Sequence, residues 1–193
     1  IQKNKEKTLK YLKLLPKNIP LSEVIKKAHD LCPKLERFCE ENKKSFKCNK
    51  DKDKGSLGKL VEYYIFGQLP NSNSNPDLDW VDIKATNFKY KPTQDAYNAK
   101  ERLTITNCGS KNNYDSFDVI SDSDNLKECP LYKKVSNGLL FVFEFKKGRY
   151  NNIKTNLSKN LLCVIHYDLS KLDEEIQNIL EEDFQDIKNR IIN

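Results

Sequence analysis

Three acidic residues and one lysine lie near one another in the middle of the sequence, at spacings that could do chemistry. Asp82 and Lys84 are two residues apart in an alternating segment, so a strand would place both on one face. Asp77 follows Pro76 just before that segment, and Glu62 lies further upstream beside an apolar helical stripe. Carboxylates provide the oxygen ligands that Mg²⁺ prefers, and a nearby lysine can orient or deprotonate a water. The pattern predicts metal-assisted hydrolysis of a phosphodiester.

A simpler interpretation fits the same four residues. An Asp-x-Lys pair is common in a lysine-rich chain, and on a solvated strand it forms a cross-strand ion pair and nothing more. The acidic residue before the strand is also open, because Asp79 competes with Asp77 as the first carboxylate. Asp77 is preferred because it directly follows Pro76.

The surrounding hydrophobic pattern predicts an α/β protein whose mixed β-sheet is flanked by α-helices. Prolines divide the first 45 residues into short helices, and a charged connector follows at 42–54. The remaining elements are an amphipathic helix from about Ser56 to Gln68, strands in WVDIKATNF, ERLTITNC, GLLFVFEF and NLLCVIHYD, and a closing helix over Lys171–Ile192. The last two strands are apolar enough to be central strands covered on both faces. The closing helix carries an apolar stripe of seven residues: Leu172, Ile176, Ile179, Leu180, Phe184, Ile187 and Ile191.

Charge is distributed unevenly along the chain. Residues 1–59 carry 17 basic and 8 acidic side chains, whereas residues 168–193 carry 3 and 8. A basic N-terminal third suits DNA or RNA, although a lysine- and asparagine-rich composition on a solvated surface explains it equally well. No stretch approaches the roughly 18 apolar residues of a membrane span, so no membrane partner is expected.

Cysteine, histidine and aromatic residues favour ordinary structural roles. The six cysteines form no CxxC pair and only two histidines are present, so we expect reduced thiols in the cytoplasm and no structural zinc. His166 lies in an apolar segment and is predicted to be a packed histidine. Tyr63, Tyr64 and Trp80 could stack on bases, but core packing is the preferred interpretation for most of them.

Three blocks of sequence together resemble the MutH family of DNA endonucleases. They are KGSLGKLVEYYIFG, NSNPDLDWVDIKATNFK and AKERLTITN, in that order and at near-family spacing, over about residues 54–107. The chain is most similar to the GATC-specific type II restriction enzymes of that family. The resemblance implies a restriction-endonuclease-like fold and one nuclease domain over 1–193. That domain comprises a basic helical part at 1–53 and a catalytic core at 54–193, and we expect the chain to lack a C-terminal continuation found in the family.

The resemblance also implies roles for individual residues. Glu62, Asp77 and Asp82 match the family's acids, and Lys84 matches the catalytic lysine; Ile83 belongs with the three acids in the metal site. Two departures concern Asp82. The family usually has Glu there, and the spacing from Asp77 is two residues tighter than usual.

DNA contacts are expected at several basic positions. Lys54 and Gly55 match a family Lys-Gly pair that reaches the DNA, and Lys133 or Lys134 could fill the place of a family lysine before the next strand. Lys147 and Arg149, around a turn at Gly148, could touch phosphate or could simply form a basic hairpin tip.

The implied function is a Mg²⁺-dependent, sequence-specific endonuclease acting on double-stranded DNA, of the type II restriction class, at GATC or a related site. Two alternatives remain open. One is a nicking endonuclease of the mismatch-repair type, and the other is a catalytically silent DNA-binding effector domain of the same fold. A homodimer, or a second domain or subunit on the DNA, is a further expected partner.

Overall fold

The computed structural model describes residues 4–48, 55–70, 76–100, 116–146 and 153–192. Within them the chain forms eight α-helices, four strands and two short 3₁₀ turns. The elements are α1 (Lys5–Leu14), α2 (Leu21–Leu31), α3 (Pro33–Asn42), α4 (Ser56–Phe66), β1 (Asp82–Lys91), β2 (Ala96–Ala99), α5 (Phe117–Asp122), α6 (Pro130–Val135), β3 (Asn137–Glu144), α7 (Ile153–Leu157), β4 (Leu161–Asp168) and α8 (Glu174–Ile192). None of these helices combines the length and apolar character that crossing a membrane requires.

The four strands form one mixed sheet in the order β2-β1-β3-β4, with helices packed on it. β1 and β2 are an antiparallel hairpin in which Phe88 faces Ala99 and Lys91 faces Ala96. The predicted class, a mixed sheet with flanking helices, is confirmed. The strand expected in ERLTITNC lies outside the described residues.

Most of the predicted helix ends are reproduced by local chemistry. Pro33 occupies the first turn of α3, where its missing N–H removes no helical hydrogen bond. The predicted helix from Ser56 ends at Phe66, two residues early, because Gly67 adopts a left-handed backbone at φ +63°. Gly67 N–H then donates to Tyr63 O, the bond of an αL cap, and Gln68 N–H donates to Glu62 O.

Two expectations, the central place of β4 and the start of α8, are wrong within the described residues. β3 is central and largely buried, as predicted, but β4 is the last strand of the described sheet and is mostly half-buried. A run of apolar residues shows that a strand has apolar side chains, but it does not specify which strands lie next to it. α8 begins at Glu174, and Lys171 belongs to a preceding 3₁₀ turn. Of the predicted stripe only Phe184 is buried; the exposed members include Ile176, Ile179 and Ile187.

The chain divides into two compact units, each built from separate segments. The first unit comprises Ile1–Ser72, Ile83–Leu103 and Leu140–Ile165, and the second comprises Asn73–Asp82, Thr104–Leu139 and His166–Asn193. The sequence-based division at residue 53 stays a prediction.

The core of the first unit forms around α4. Leu60 and Val61 are fully buried, and Phe66 meets Phe141 edge-on with ring centroids 5.9 Å apart. Tyr63 stacks on Phe46 at 4.0 Å and donates its hydroxyl to the main-chain oxygen of Cys39. The preferred interpretation of Tyr63 as a core residue is therefore confirmed. Burial raises its pKa to about 12, which keeps the phenol neutral as a donor.

The second unit has its own apolar cluster. Ile120, Cys129, Leu131, Val135 and Phe184 are buried together. Leu131 and Val135 both lie on the six-residue helix α6, so this short helix is held by packing and not by its own length.

Alanine substitutions at Gly58, inside α4, and at Gly67, directly after it, should have opposite effects on the free energy of unfolding. A Cβ at Gly67 would lie 3.0 Å from Leu35 Cδ2, on left-handed backbone. We expect Gly67→Ala to lower the free energy of unfolding by about 1–2 kcal/mol. At Gly58, inside the helix, the nearest atom is Glu62 Oε1 at 3.9 Å. We expect Gly58→Ala to raise the free energy of unfolding by about 0.5–1 kcal/mol. Urea denaturation measures both, and effects of the same sign would contradict the observed end of α4.

Candidate active site

A tight turn before β1 positions the first acidic residue. Leu78 N–H donates to Val81 O at 3.0 Å, and both side chains are buried, which anchors the turn in the second unit. Asp79 lies at its corner with φ +56°, a left-handed conformation that Asp tolerates better than most residues. Its side chain is exposed, whereas that of Asp77 is largely buried.

Asp77 and Asp82 share one buried cation, Lys134. The Lys134 ammonium lies 2.6 Å from Asp82 Oδ1 and 3.9 Å from Asp77 Oδ1. The side chains of Asp82, Lys134 and Asp77 are 2%, 9% and 13% exposed, and both Asp82 carboxylate oxygens are inaccessible to solvent. We call these three residues the acid–lysine cluster; all three belong to the second unit.

The cluster carries a formal charge of −1, because two carboxylates share one ammonium. Removing charges from water costs several kcal/mol per ion. The short distance between Lys134 and Asp82 offsets that cost, so the pair can be buried. Mg²⁺ is commonly held by one or two protein carboxylates with waters completing its shell, so Asp77 and Asp82 fit that ion as a donor pair.

The structure separates the alternatives that the sequence left open. Asp77, and not Asp79, lies with Asp82 in the cluster. Of the two neighbouring lysines, Lys134 is buried in the cluster and Lys133 is exposed. Lys134 faces inward because Leu131, three residues earlier on α6, is also buried, and positions three apart share a helix face.

Glu62 and Lys84 belong to the first unit. Glu62 is half-buried near the end of α4, and Lys84 is half-buried two positions after Asp82 in β1. The Ile83 side chain is hydrocarbon and buried, so only its carbonyl oxygen could ligate a metal. In the part of the chain that the structure describes, no group of three or more His, Cys, Asp or Glu is placed to hold a metal. The expected set of three carboxylates is therefore not assembled there.

Three of the six expected DNA-contacting residues are not described. Gly55 is exposed directly before α4, but Lys54, Lys147 and Arg149 lie outside the described ranges. His166 is half-buried and packs edge-on against Trp80, with ring centroids 5.7 Å apart. That contact agrees with the prediction of a packed histidine.

Sequence analysis missed Tyr167, near the end of β4. Its hydroxyl is buried and has no hydrogen-bond partner among the described residues. Burial, followed by the negative charge of Asp82, raises the pKa of Tyr167 to about 12. The one available signal was Gly138 early in the strand GLLFVFEF, because a glycine inside a strand often marks a close approach.

Comparison with known proteins adds no relative, since no protein family and no curated protein matches this chain. The resemblance to MutH endonucleases therefore rests on the motif residues alone.

The cluster predicts unequal roles for two adjacent lysines. Lys134→Ala leaves two buried carboxylates without their ammonium, and we expect it to lower the free energy of unfolding by about 3–5 kcal/mol. Lys133→Ala, on the surface, should change it by less than about 0.5 kcal/mol. Thermal and urea unfolding measure the difference.

Proposed function

We propose that this protein is a Mg²⁺-dependent endonuclease that hydrolyses phosphodiester bonds in double-stranded DNA. The observation that carries the proposal is the acid–lysine cluster, in which Asp77 and Asp82 share Lys134 at the start of β1. This cluster contains the two acids of the Pro-Asp … Asp-x-Lys motif, which binding to a polyanion would not require.

Each side chain has a distinct role in the proposed reaction. Asp77 and Asp82 would hold Mg²⁺, and Glu62 is proposed as a third ligand on the sequence resemblance alone. When bound, the ion would lower the pKa of a bound water and neutralise charge on the phosphate. Lys84 orients or deprotonates the attacking water and stabilises the negative charge that develops on the phosphate.

Lys134 would keep the two carboxylates in place before the ion binds. Without a cation, two buried acids repel each other and one tends to take up a proton. A lysine that already balances one of them keeps both available as ligands. This position corresponds to the family lysine expected before the next strand.

The finer assignment follows the sequence resemblance. We propose a restriction-endonuclease-like fold and a type II restriction enzyme acting at GATC or a related short site, with double-stranded DNA as its partner. Engagement of both strands would use a homodimer or a second domain or subunit. A cytoplasmic location and a nicking activity of the mismatch-repair type belong to the same set of proposals.

A second candidate function has one specific observation in its favour. The 2.6 Å contact between Lys134 and Asp82 already neutralises that carboxylate, as a catalytically silent DNA-binding domain of this fold would require. Metal binding and cleavage separate the two candidates.

The metal-site hypothesis predicts cleavage of unmethylated DNA with Mg²⁺ or Mn²⁺ and none in excess EDTA. Asp77→Asn removes a ligand charge, and we expect it to lose both cleavage and Mn²⁺ binding. Asp79→Asn is the matched control, because Asn also tolerates the left-handed backbone at that corner. Gel assays and titration calorimetry provide the two readouts. Loss of cleavage in Asp79→Asn with an active Asp77→Asn would show that the wrong ligand was chosen.

Lys84 separates catalysis from binding. We expect Lys84→Ala to keep DNA and Mn²⁺ binding and to slow cleavage roughly 10²–10⁴-fold, the scale of a positioned acid–base group. Lys89→Ala, an exposed lysine further along β1, should cleave normally. Single-turnover rates at saturating Mg²⁺ measure this effect, and a Lys84→Ala variant with the wild-type rate would exclude Lys84 from the reaction.

A further inference from the structure

The Tyr167 hydroxyl is a buried polar group that the proposed reaction does not use. It is inaccessible to solvent and has no hydrogen-bond partner among the described residues. A buried hydroxyl in that state lowers stability, a cost that phenylalanine would avoid at the same position. A buried polar group of this kind calls for an explanation, and a functional one is available beside it.

The backbone of β3 accommodates the phenol. A Cβ at Gly138 would lie 2.0 Å from Tyr167 Cζ and 2.2 Å from its hydroxyl oxygen. Any side chain at position 138 would therefore displace the ring from the main chain of β3. Gly138 and Tyr167 belong to the same unit as the acid–lysine cluster.

The sheet places Asp82 on the side of β3 away from β4. β3 carries Gly138 and lies between β1 and β4 in the sheet, and Asp82 is the first residue of β1. The end of β4 lies beside the start of β3, because Leu169 N–H donates to Ser136 O at 2.7 Å. Tyr167, which packs on Gly138, is therefore separated from the strand of Asp82 only by β3. Burial and then the negative charge of Asp82 raise the pKa of Tyr167, in agreement with this placement.

We propose that Tyr167 is a positioning residue for Asp82. Its O–H donates a hydrogen bond towards the carboxylate through one water, and holds that carboxylate ready for a divalent cation while Lys134 pairs with Oδ1. The metal role of Asp82 in this inference rests on the proposed function. Hydrogen bonds from neighbouring residues commonly orient metal-binding carboxylates in this way.

Tyr167→Phe in the full-length chain tests the role of the hydroxyl. We expect Mn²⁺ binding, followed by titration calorimetry, to weaken about 10–100-fold, the usual effect of removing a group that orients a ligand. An unchanged Mn²⁺ affinity would overturn the proposal.

Tyr11→Phe is the matched control. Tyr11 also has a buried hydroxyl, but it donates to Ile65 O at 3.0 Å within the first unit. Its loss should lower the thermal midpoint and leave the Mn²⁺ affinity unchanged. A similar fall in Mn²⁺ affinity in both variants would overturn the assignment to Tyr167, since the effect would then be a general one.

Gly138→Ala displaces the hydroxyl while keeping the tyrosine. It should weaken Mn²⁺ binding in the wild-type background and add little in the Tyr167→Phe background, because the same hydrogen bond is already gone. Full additivity of the two substitutions would contradict the proposal.

Asp82→Asn distinguishes this inference from the proposed function. Mn²⁺ binding that depends on Asp82 and Tyr167, without DNA cleavage by the wild-type chain, would support the inference and refute the nuclease. If the wild-type chain cleaves DNA and the Tyr167→Phe variant binds Mn²⁺ with wild-type affinity, the nuclease is supported and the inference is refuted. No Mn²⁺ binding by the wild-type chain would refute both.

Discussion

The second unit depends on the burial of the Asp82 carboxylate beside the Lys134 ammonium. Two charges removed from water remain stable together only at close range, here 2.6 Å, and a small displacement of either leaves an uncompensated buried ion. Both ends are accordingly fixed by apolar packing. Leu131 and Val135 hold α6 in the core beneath Lys134, and the buried Val81 holds the chain directly before Asp82.

That constraint also shapes what the site can bind. In buried surroundings charge is poorly screened, so carboxylates such as Asp77 and Asp82 favour the approach of a cation and oppose that of a phosphate alone. Under the proposed function, the metal ion resolves this conflict between acidic ligands and a polyanionic substrate. Lys134 and Tyr167 would then keep the carboxylates ordered in the interval before the ion and the DNA arrive.

Local patterns predicted the elements well and their environment less well. The position of α4, the proline at the start of α3 and the buried strand β3 follow from periodicity and backbone preferences, which act over a few residues. The apolar residues of α8 were predicted to form one stripe, and within it Phe184 is buried whereas Ile176 and Ile179 are exposed. Helical spacing places residues on a common face, and only the neighbouring elements decide how much of that face is covered.

The sequence by itself determined the mixed α/β class, the placement of Asp82 and Lys84 on one strand and the set of candidate acids, because residue type and strand alternation are local properties. Tertiary structure alone decided that Asp77 lies with Asp82 while Asp79 is exposed, and that Lys134 is buried while Lys133 is not. It also revealed Tyr167 beside Gly138. These choices depend on which residues far apart in the chain are brought within a few ångströms and removed from water, and no spacing along the chain encodes that distance.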